Sequence, residues 1–149
     1  MLKKYRFGLD VSGLLLFLII MIPNFIWFAV PAPNDILRTD SITGTLDTVA
    51  SICQVLMIII LCVFRNRECK RIGISPFIIA IIICCLLYFI SWGVYYIGVV
   101  NAVVILGLTI PPCLAFLVFA IERKNKIAII PISIFTACHI IYGIVNFII

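Results

Sequence analysis

The sequence predicts an all-α integral membrane protein: a five-transmembrane-helix bundle, one domain over residues 1–149, with a cytoplasmic N-terminus and an extracytoplasmic C-terminus. Three observations carry that expectation. Apolar side chains make up 65% of the chain and charged ones 11%, against about 25% charged in a soluble domain, and mean hydropathy is +1.33. The apolar residues form continuous runs without alternation, and in lipid, where every backbone amide needs an internal partner, such runs can only be helices. Lysine and arginine divide ten to one between alternate connections, which sets the orientation.

The expected spans are 9–30, 47–64, 76–97, 102–121 and 127–149. Lys3, Lys4 and Arg6 precede the first run. That run is too long for the apolar region of a signal peptide, and no small-residue cleavage site follows, so a retained span is expected. Pro23 should break its helix, and the chain then leaves through Trp27 and Phe28 into a Pro31-x-Pro33-Asn34-Asp35 turn, where an Asx cap is the simplest role for the acidic residue. Thr43 or Thr45 is expected to cap the second helix, with Asp47 in its first turn. Ser75-Pro76 has the N-cap and first-position signature of the third helix.

From Pro76 to Ile121 run 46 residues without a charge. As one helix they would extend roughly 70 Å, against a hydrocarbon core of about 30 Å. Two spans are therefore expected, turning between Tyr95 and Asn101, where Gly98 sits. Glu122-Arg123-Lys124-Asn125-Lys126 separates the last two spans.

The basic residues fall three at the N-terminus, four in the second connection (Arg65, Arg67, Lys70, Arg71) and three in the fourth; the first connection has only Arg38. Arg65, Arg67, Lys70 and Arg71 are candidate contacts for anionic lipid, although setting topology is role enough for such a loop. The expected location is the cytoplasmic membrane, and the abundance of isoleucine is associated with AT-rich bacterial genomes.

Catalytic signatures are missing from the sequence: it has no H-E-x-x-H, G-x-S-x-G or phosphate-binding glycine loop, and no paired carboxylates. The seven cysteines show neither a disulfide framework nor a C-x-x-C pair, and most read as small buried hydrophobes. The expectation is a protein that is not an enzyme and has no cofactor, no metal and no nucleic-acid partner. An intramembrane enzyme would need a nucleophile beside His139.

The polar residues within the spans share a depth. Asn24, Gln54, Ser91, Thr109 and His139 should lie roughly 8–15 Å below the outer surface, over inner halves that are almost purely apolar. Asp47, Ser51 and Gln54 follow i, i+4, i+7. Thr136, His139, Tyr142, Gly143 and Asn146 fall within an arc of about 120°. Pro111 and Pro112 remove two backbone donors and free carbonyls near Gly107 and Leu108. Trp27, Phe28, Trp92, Tyr95, Tyr96 and Tyr142 gather at the same end, where an aromatic belt accounts for most such residues.

One reading is a polar cavity open to the outer face, bounded by Asn24, Trp27, Asp47, Ser51, Gln54, Ser91, Tyr95, Thr109, His139, Tyr142 and Asn146, with helix breaks at Pro23, Pro111 and Pro112. The other is adhesion between helices through hydrogen bonds worth about 0.6 kcal/mol each. His139 should face the bundle, neutral at pH 7, with Gln54, Asn24 or the freed carbonyls as partners, because an imidazole facing lipid would leave two polar atoms unpaired. The leading expectation is a non-enzymatic ligand- or partner-binding accessory protein whose partners are the bilayer and either a homo-oligomer or a larger membrane complex; the rival is a small-solute transporter acting as a homo-oligomer. A reporter active only outside the cytoplasm should work when fused after Asp40 and fail after Lys70; the reverse pattern would invert the orientation.

Overall fold

The computed structural model describes residues 4–69 and 73–149, so Lys70 and Arg71, two of the candidate contacts for anionic lipid, lie outside the described residues. Among the described residues, five helices are long and apolar enough to cross a membrane: α1 (Val11–Ala29), α2 (Gly44–Val63), α3 (Pro76–Tyr96), α4 (Ala102–Glu122) and α5 (Lys126–Phe147). Two short strands, β1 (Tyr5–Phe7) and β2 (Phe64–Asn66), pair antiparallel, and a 3-10 turn covers Ile36–Arg38. The chain is accordingly that of a multi-pass membrane protein.

Helix starts follow the capping chemistry of the sequence. Ser75 accepts from the Ile78 amide with Pro76 behind it, Asn101 from Val104 and Asn125 from Ala128, each satisfying a first-turn donor that has no partner within its helix. Thr43 stands at the start of α2 but does not cap it; its hydroxyl donates to Asp47 Oδ1 at 3.0 Å instead. Gly98, at φ +91°, forms the α3–α4 turn in a left-handed conformation that other residues adopt only with strain. Pro23 does not break its helix, contrary to expectation: α1 continues through it to Ala29. A proline costs one backbone bond, and in lipid the other bonds of the helix are too valuable to give up.

α3 packs on α4, α4 on α5 and α5 on α2, with α1 laid across the open side. Close approach depends on three separate glycines rather than a repeated motif. A Cβ on Gly107 would lie 2.1 Å from Ser91 Oγ, one on Gly143 2.9 Å from Thr109 Cγ2, and one on Gly13 2.9 Å from the Leu61 carbonyl oxygen. The first two seat α3 and α5 against α4, whose Cys113, Ala115 and Ala120 have no exposed surface.

One end of the bundle carries Arg6, Arg65, Arg67, Arg123, Lys124 and Lys126 and is held by polar bonds. Asp10 caps α1 through the Ser12 amide and is paired with Arg123, which donates from Nε at 2.9 Å and Nη2 at 2.6 Å. Both side chains are almost fully buried. Asp10 at the start of α1 and Arg123 at the end of α4 also match the helix dipoles. Asn125 donates to the carbonyls of Ile60 and Phe64, while Tyr5 and Asn66 both donate to the Lys124 carbonyl. With the ribbon of β1 and β2 at this end, α1 begins at residue 11 instead of 9 and α2 stops at 63 instead of 64. A three-residue strand pairing across about sixty positions has no periodicity to reveal it.

Candidate ligand cavity

α1 leans on different neighbours at its two ends. Near its start, Gly13 lies against the backbone of α2 at Leu61. Three turns later Asn24 Nδ2 donates to the Tyr88 hydroxyl on α3 at 2.7 Å, and the rings of Trp27 and Trp92 sit 6.4 Å apart. Between these two attachments lies a wedge of space lined by α1 and α2, with residues of α3, α4 and α5 behind it.

That wedge is a cavity of about 430 Å³, within the range of roughly 300–1,000 Å³ typical of small-molecule sites. Phe17, Met57, Ile58, Phe116 and Phe135 floor it. Above them Asn24, Gln54, Tyr88, Thr109 and His139 form a polar shelf beside Pro112, and Trp27, Phe28, Asp47, Ser51, Trp92 and Tyr142 surround the rim. From Asp47 to Ile58 the cavity descends about 16 Å, half the thickness of a hydrocarbon core.

The shelf residues differ in how far they are committed. Asn24 uses its amide N–H groups on Ile20 O and Tyr88, and Thr109 donates to its own helix. Among the described residues, neither Gln54 nor the imidazole of His139 has a hydrogen-bond partner, and the buried Trp92 indole N–H has none either. The His139 ring instead stacks on Phe135 at 5.1 Å and 16° and lies parallel to Tyr142 at 6.2 Å. The expected bonds from His139 to Asn24, Gln54 or the carbonyls of α4 are therefore not made, because the stack fixes the ring and Asn24 is spent on Tyr88.

Three sequence candidates lie off the cavity. Ser91 packs on Gly107 and donates to Leu87 O. Asn146 ties the end of α5 to the start of α2 through Thr43 Oγ1 and the Ile42 amide. Tyr95 has no exposed surface and donates to Asp35 at 2.8 Å. Of the three prolines only Pro112 lines the cavity; contrary to expectation neither Pro111 nor Pro112 breaks α4, which runs through both as α1 runs through Pro23. Trp92 and Tyr95 turn inward rather than forming a belt. Tyr88 escaped notice in the sequence, although positions 88, 92 and 95 follow the same i, i+4, i+7 spacing as the polar stripe of α2.

Asp35 closes the structure above the rim. It makes no Asx cap; its carboxylate accepts from Trp27 Nε1 at 2.9 and 3.0 Å, Tyr95 Oη at 2.8 Å and Arg38 Nε at 2.9 Å. Arg38 also lies over the Trp27 ring, 4.9 Å from its centroid, and bonds the Trp27 carbonyl. Burial pushes the Asp35 carboxyl up, but the bonds from Trp27, Tyr95 and Arg38 together hold it below its ordinary value of 3.8. Comparison with protein-family models, curated proteins and solved structures finds no match for this chain.

Asp35→Asn keeps the shape but removes the charge on which three donors converge, and is expected to destabilise the fold by about 1–3 kcal/mol. Because the folded carboxyl titrates below its unfolded value, the stabilisation should be complete above pH 3.8 and disappear on acidification beneath it. Trp27 emission in a Trp92→Phe background should follow that loss in the parent and already be red-shifted at pH 7 in Asp35→Asn.

Proposed function

We propose that this chain is a non-enzymatic protein of the bacterial cytoplasmic membrane, with its N-terminus inside and C-terminus outside, that binds a small uncharged amphipathic molecule in the cavity beside α1. The observation that carries this reading is the pair of uncommitted polar side chains, Gln54 and His139, facing a 430 Å³ space with an apolar floor. If the polar layer served adhesion alone, α1 would meet α2 along its length and these groups would bond across the gap. Their polar atoms instead remain accessible from the cavity, where an amide and an imidazole offer both donors and acceptors.

The lining also indicates ligand chemistry. Among the lining residues Asp47 is the one carboxylate and there is no lysine or arginine. Asp47 already accepts from Ser41 and Thr43. An anion would find no counter-charge, whereas a hydroxyl, amide or carbonyl head could bond Gln54 and His139 while its apolar part occupies the floor. The transporter alternative needs a polar route towards the basic end, and the floor of Phe17, Met57 and Phe116 supplies no polar group.

Native mass spectrometry of protein extracted in mild detergent tests the proposal. The parent chain should retain an uncharged adduct, and Gln54→Leu and His139→Leu should each reduce its occupancy about tenfold, the cost of one lost polar contact. Absence of an adduct from the parent, or equal retention by both variants, would reassign the polar layer to helix adhesion.

A further inference from the structure

A second site lies at the opposite end of the bundle, on the ribbon of β1 and β2. Arg6 and Arg65 are directly opposed in its register, so their side chains leave the same face of the pleat. Tyr5 and Asn66 occupy the other face and bond the Lys124 carbonyl, which turns the arginines away from the helices. Arg67 follows two residues after Arg65, and Arg6, Arg65, Asn66, Arg67 and Cys69 line one recess.

That arrangement is costly as it stands. Like charges directly opposed across two strands destabilise the pair, and a two-stranded ribbon is marginal to begin with. The neighbouring acid gives no relief, since Glu68 is held by Lys4 at 2.9 Å. Among the described residues no acceptor or carboxylate reaches the guanidinium of Arg6, Arg65 or Arg67. An anion between them would convert repulsion into attraction, and the planar guanidinium fork matches phosphate oxygens two at a time.

We infer that Arg6, Arg65 and Arg67 form a binding site for a phosphate group. Two settings supply one: the headgroup of an anionic lipid or a free phosphate in solution. The ribbon follows directly from the last residue of α2, which sets it at headgroup level if α2 spans the bilayer. Phe7, 77% exposed, extends from the ribbon as an apolar side chain that a membrane surface would cover. This inference is independent of the cavity.

The test is thermal unfolding of the full chain in mild detergent, titrated separately with dihexanoyl phosphatidic acid, dihexanoyl phosphatidylcholine and inorganic phosphate. Phosphatidic acid should raise the midpoint saturably and phosphatidylcholine should not. An equal rise with inorganic phosphate at the same concentration would assign the site to a soluble phosphate, with the recognition chemistry unchanged. Arg6→Gln and Arg65→Gln should each weaken half-saturation about tenfold. Arg6→Glu separates a ligand role from a structural one: by pairing with Arg65 it should raise the ligand-free midpoint while abolishing the phosphate response. No response to either phosphate compound, or a response that Arg6→Gln and Arg65→Gln leave intact, would overturn the inference.

Discussion

Asp35 accepts from Trp27, Tyr95 and Arg38 at once, and through that convergence the loop after α1 is locked to α3 rather than to α2. The direction of α1 follows. Its start is committed to α2 by the contact of Gly13 with Leu61, its end to α3 by Asp35 and by the bond from Asn24 to Tyr88. A helix is stiff over nineteen residues, so these two attachments cannot both be met while it lies flush against α2. The space between the helices is thus a consequence of where the ends are fastened.

Fastening by polar bonds at the ends suits a chain whose spans are nearly uniform in apolar character. Lipid tails compete with Ile and Leu for every lateral surface, so apolar contact alone does little to choose a neighbour. The buried Asp10–Arg123 pair, the amide of Asn125 on α2 and the Asp35 cluster choose it instead. Each would be expensive to leave unmade, and removing one partner of a buried pair costs about 3–5 kcal/mol. Mid-membrane polar groups are a different case: Asn24 is bonded across helices, whereas Gln54 and His139 have no such commitment among the described residues.

Much of this was legible in the sequence because it depends on runs and spacings. The uncharged stretch had to fold back near Gly98, since its length allowed nothing else, and Ser75-Pro76 announced a helix start. The shared depth of Asn24, Gln54, Thr109 and His139 followed from counting residues along five rods. What stayed hidden depends on distant pairing. Arg123 read as a topology signal because a charge at the end of a span says nothing of its partner 113 positions away. Asp35 read as a local cap because only local geometry is visible along a chain. The ribbon is invisible in the sequence because three residues opposite three others carry no period, and Tyr95 points to the cavity by sequence alone because helical phase gives a direction but not a neighbour.

A density map of the full chain, taken directly from its membrane into polymer-bounded discs without detergent, tests most directly whether the space beside α1 is a binding site. α1 should stand away from α2 above Met57, with non-protein density between them in contact with Gln54 and His139. A map in which α1 lies flush on α2, with Gln54 bonded across to α1 and no room for a ligand, would contradict it.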